Sequence, residues 1–62
     1  MDEQYERTVM VWGKPHTISV YQKSKTVWAA VGDYMDERIE VKDRSRGTVV
    51  AAWRRAAEYR GN

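Results

Sequence analysis

Four runs in which β-branched or aromatic residues recur at every second position, RTVMVW (7–12), TISVYQ (17–22), TVWAAVG (26–32) and RIEVK (38–42), are separated by no more than five residues. Alternation of this kind suits a pleated surface with one face covered, so each run is a candidate strand. The connections GKPH, KSK and DYMDE are polar and hold Gly13, Pro15 and two aspartates, residues that favour turns. A parallel return needs a crossover of a dozen or more residues, so connections this short join only antiparallel neighbours. The front of the chain is therefore expected to be a β-meander.

From Ser45 the pattern changes. SRGTVVAAWRRAAEYRGN is rich in alanine and arginine, both good helix formers, with Ser45 placed as an N-cap and Gly61 as a C-terminal cap. At about 100° per residue, Val49, Val50, Ala52, Trp53, Ala56, Ala57 and Tyr59 fall on one side of such a helix, and Arg54, Arg55 and Glu58 on the other. One helix covers one face of a small sheet. The expected fold class is α+β: a small two-layer antiparallel β-meander of three to four strands, followed by one C-terminal α-helix packed on one sheet face. Residues 1–62 form a single domain on this reading, with 1–6 frayed and no internal repeat or linker.

A chain of 62 residues buries only about 60% of the surface its unfolded form exposes, which leaves no room for a deep cleft with a supporting shell. It has no cysteine and one histidine, His16, to which no role is assigned; neither a metal nor any other cofactor is expected. No nucleophile stands with a legible base, and no glycine loop is shaped to cradle phosphate, so an enzyme is not expected. No apolar run reaches the roughly 18 residues of a membrane span, and the acidic start MDEQYER is unlike a secretory signal. A cytoplasmic protein with no membrane contact is expected, and the initiator methionine favours a whole small protein.

Function then depends on the surface that folding leaves over. Strand parity groups Val9 and Val11, Ile18 and Val20, Val27, Ala29 and Val31, and Ile39 and Val41 beneath the helix, with Trp53 as the central plug. The opposite parity carries Met10, Trp12, Tyr21 and Trp28 among threonines and charged residues. Aromatic side chains left on an open sheet face are large anchors for a partner, so these four are the candidate partner-binding residues. A protein partner or a second copy of the chain is expected, the latter through a symmetric face.

The net charge of +2 is small, but its distribution is uneven. Residues 14–25 carry Lys14, Lys23 and Lys25, residues 33–43 are acidic overall, and 44–62 hold five arginines against Glu58. Lys14, Lys23, Lys25, Arg38, Arg44 and Arg46 are therefore the candidates for an alternative function, binding of nucleic acid or another anion by the same face. Arg44 and Arg46 also precede the helix where its dipole is positive, a placement that suits a bound anion.

Residues 26–62, with VWAA in one strand, RIEV in the next and the helix AAWRRAAEYRGN, resemble the plant DNA-binding domain that recognises GCC boxes, of the ethylene-response type. Similar sheet-and-helix modules occur at the ends of some phage-type integrases. The resemblance implies a three-stranded antiparallel sheet on one helix, with the free sheet face entering the major groove. By position it assigns Trp28 and Arg38 to readout.

Overall fold

The structure, a computed structural model, describes residues 4–60. Four strands, β1 (Gln4–Val11), β2 (Lys14–Ser24), β3 (Val27–Tyr34) and β4 (Glu37–Asp43), pair antiparallel in the order β1-β2-β3-β4, and one helix, α1 (Arg46–Arg60), packs on the sheet. This is the meander and helix expected from the alternation and the short connections. Gln4–Glu6, expected to fray, are already part of β1, while the cap assigned to Gly61 lies outside the described residues.

The strands take up more of the chain than the alternating runs do. All three connections shrink to two residues, and in two of them, Trp12–Gly13 and Met35–Asp36, the φ angles are all positive at 52°, 77°, 53° and 65°. That is the signature of the mirror-image type I′ turn, whose twist matches the right-handed twist of the strands it joins. Pro15, placed in a connection by the sequence, lies within β2 opposite Met10. The β2–β3 ladder begins only at Ser19, so Pro15 lies where β2 has a single partner strand and no ladder hydrogen bond is forfeited.

Because that ladder stops short, the two hairpins part towards the end that carries their turns. His16 lies in the opening. Its ring meets Tyr34 at 5.0 Å between centroids, and both rings lie 6.5 Å from that of Trp53. The histidine that the sequence places in the connection GKPH is thus half-buried at the rim of the core.

Val9, Val11, Ile18, Val20, Ala30, Tyr34 and Ile39 from the sheet enclose Val49, Trp53 and Ala57 of the helix. Trp53 is the central plug, fully buried as expected, and its Nε1–H donates to the carbonyl of Ile39 at 3.1 Å, which satisfies the only polar atom of the indole. Ser45 caps the helix: its Oγ accepts from the amide of Thr48 at 3.2 Å, and its carbonyl takes the first helical bond from Val49 at 2.9 Å. Tyr59, expected on the buried side, is 84% exposed two residues beyond Ala57, the last core residue of the helix.

Candidate docking surface

The face assigned to β3 is reversed. Register sets Ala30 opposite Val20 and Val41, and Gly32 opposite Ile39, so Trp28, Ala30, Gly32 and Tyr34 share the helix side. Trp28 is half-buried and packs against the core, whereas Val27, Ala29 and Val31 lie on the open face. The physical reason is the bulk of Trp53. A Cβ placed on Gly32 would stand 2.5 Å from Ile18 Cγ2 and 3.0 Å from Trp53 Cζ2, so the strand beneath the indole must be nearly bare of side chains. The sequence signal was present in Gly32 itself, since a glycine inside a strand often marks close approach by another group.

The other three candidates separate. Trp12 belongs to the turn rather than to a strand face, and it is 58% exposed. Met10, 48% exposed, is on β1 opposite Pro15, whereas Tyr21 lies opposite Ala29, roughly 20 Å along β2 at about 3.3 Å per residue. Tyr21 is half-buried and hydrogen-bonds through its hydroxyl to Glu40 at 3.4 Å, over an Ala29 left without exposed area. There is no shared aromatic patch of Trp12, Tyr21 and Trp28.

Two exposed apolar residues were not foreseen. Met35, 69% exposed, is the first central residue of the third turn, the position Trp12 holds in the first, and Tyr59 is on the last turn of α1. In a meander the first and third turns lie at the same end of the sheet. The ion pair of Arg60 with Glu37 brings the end of the helix there too. Met10, Trp12, Met35 and Tyr59 therefore mark one end of the molecule. Reading Trp-Gly as a two-residue hairpin turn would have located this end.

The candidate cations do not share a surface either. Lys25 and Arg44 line one hollow with Lys42, Val27 and Asp43 at the opposite end. Lys23 reaches Glu40 at 3.7 Å on the open face, and Arg38 lies across from Asp33. Lys14 adjoins the first turn, and Arg46 lines a small recess with Arg7, Gly47 and Val50. Of the two residues that the family resemblance assigns to readout, only Arg38 is on the free face.

A groove runs between β1 and the flank of α1. Val9 and Val50 lie along it with Thr8, Met10, Gly47 and Ala51, and Arg54, Arg55 and Glu58 form the rim. It adjoins the recess beside Arg7 and Arg46, with Gly47 and Val50 common to both. Among the described residues no polar or charged side chain is buried, and no three His, Asp or Glu side chains gather as metal ligands. No described helix is long and apolar enough to cross a membrane.

No family model, curated protein or solved structure matches the chain.

Proposed function

We propose that this chain is a non-catalytic docking module that presents Trp12, with Met10 beside it, to a protein partner. The observation that carries this reading is the position of Trp12: a large apolar ring, 58% exposed, in a left-handed backbone conformation at φ 52°. Asn, Asp and Gly are the residues suited to that site, and an L side chain there costs about 1–2 kcal/mol. The ring does not join the core cluster, so neither turn formation nor packing accounts for it. An exposed indole fits the anchor of an interface, where rigid aromatics contribute most of the binding energy.

Selection from a random peptide library tests the proposal. The chain should enrich peptides whose affinity falls at least tenfold with Trp12→Asn. Ligands that bind the variant equally well would remove Trp12 from the function. Sedimentation of the unaltered chain at high concentration reports whether the partner is a second copy.

A second reading, nucleic-acid binding, rests on Lys25, Lys42 and Arg44 around one hollow. Affinity for duplex or single-stranded DNA would then fall steeply with salt. Insensitivity of that affinity to Lys25→Ala and Arg44→Ala would count against it.

A further inference from the structure

Both outer strands of this sheet have a free edge, but the two edges are not alike. β4 carries Glu37, Arg38, Glu40, Lys42 and Asp43, the charged pattern that protects an edge from pairing. β1 carries Glu6 and Arg7 and then four uncharged residues, Thr8–Val11, with no proline. The two-residue turn makes Val11 and Lys14 a hydrogen-bonded pair, so Thr8 and Met10 belong to the alternate pairs whose N–H and C=O groups point away from β2. No backbone hydrogen bond joins these groups to another part of the described chain.

Beyond that edge lies the groove against α1. Its floor is apolar at Val9 and Val50, and its helical wall is small at Gly47 and Ala51. A side chain added at Gly47 would meet nothing within 4 Å, so the space is open. Arg54 and Arg55 line the groove and Arg7 the adjoining recess, and Glu58 on the same wall is held by Arg54 at 3.2 Å.

We infer that this groove takes an extended acidic segment of the partner, added as a fifth strand along β1, with apolar side chains over Val9 and Val50 and carboxylates towards the arginines. The inference rests on the docking reading, because β1 leads through Met10 directly to Trp12. A free strand edge supplies alternating donors and acceptors that match another backbone, and the groove beside it selects side chains. Phosphates would use the arginines but not the alternating carbonyls, so the edge favours a peptide over nucleic acid.

The test is titration of the chain with an eight-residue peptide, Glu-Thr-Val-Thr-Val-Thr-Glu-Thr, whose valines and glutamates all fall on the groove side of an extended strand, followed by amide NMR and hydrogen exchange. The expected result is slowed exchange at the Thr8 and Met10 amides and at least tenfold weaker binding of the valine–lysine counterpart. Gly47→Phe, whose Cβ would meet nothing within 4 Å and whose ring would occupy the groove, and Arg55→Glu should each weaken the acidic peptide at least tenfold, and Arg55→Glu should narrow its advantage over the lysine peptide. Binding that leaves both amides unprotected, equal binding of the two peptides, or no binding at millimolar concentration would each overturn the strand inference. Competition by a single-stranded oligonucleotide with equal affinity at the same arginines would overturn it in favour of phosphate. None of these outcomes touches the docking reading, which is tested separately by whether library ligands depend on Trp12.

Discussion

A methyl group at position 32 would collide with Ile18 and press on Trp53, so Gly32→Ala is expected to destabilise the fold by about 1–3 kcal/mol, measured as a lowered denaturation midpoint. The tryptophan four residues back gives a complementary test of which side β3 presents. Trp28 packs half-buried against the core, so Trp28→Ala should cost roughly 2 kcal/mol, about half of what is lost on truncating a fully buried tryptophan. A cost near zero would place the ring on the open face after all. Alternation alone could not resolve this, because both sides of TVWAAVG are apolar. The choice is made by the volume of Trp53, which lies 21 residues beyond Gly32 and excludes larger side chains beneath it. Where one residue fills the core, the strand facing it looks empty in the sequence.

The elements themselves were legible for local reasons. Short connections dictated antiparallel pairing, and the change from period two to an alanine-rich segment marked α1. Ser45 serves as its cap through the bond from Thr48, and Ser45→Ala should cost about 1 kcal/mol, read by the same denaturation measurement. The candidate site was less legible, because strand parity says nothing about a residue in a turn. Trp12 was assigned to a strand although the turn geometry starts there, and Met35 passed unnoticed in DYMDE among residues typical of solvated loops. The contrast between β1 and β4 likewise appears only when strand order shows that both are edges.

Across the whole molecule the surface divides by end. The hairpin turns and the close of the helix expose Met10, Trp12, Met35 and Tyr59, while Lys25, Lys42 and Arg44 gather at the far end. A domain of this size has little stability to spare, and the proposed docking role is our account of a large ring held outside in a left-handed conformation. The chemical denaturation of Trp12→Asn measures this most directly. If Trp12 serves a partner, asparagine relieves the left-handed strain and the variant is more stable by on the order of 0.5–1 kcal/mol. A variant clearly less stable than the unaltered chain would show that Trp12 holds the fold together, and the docking surface would lose its anchor.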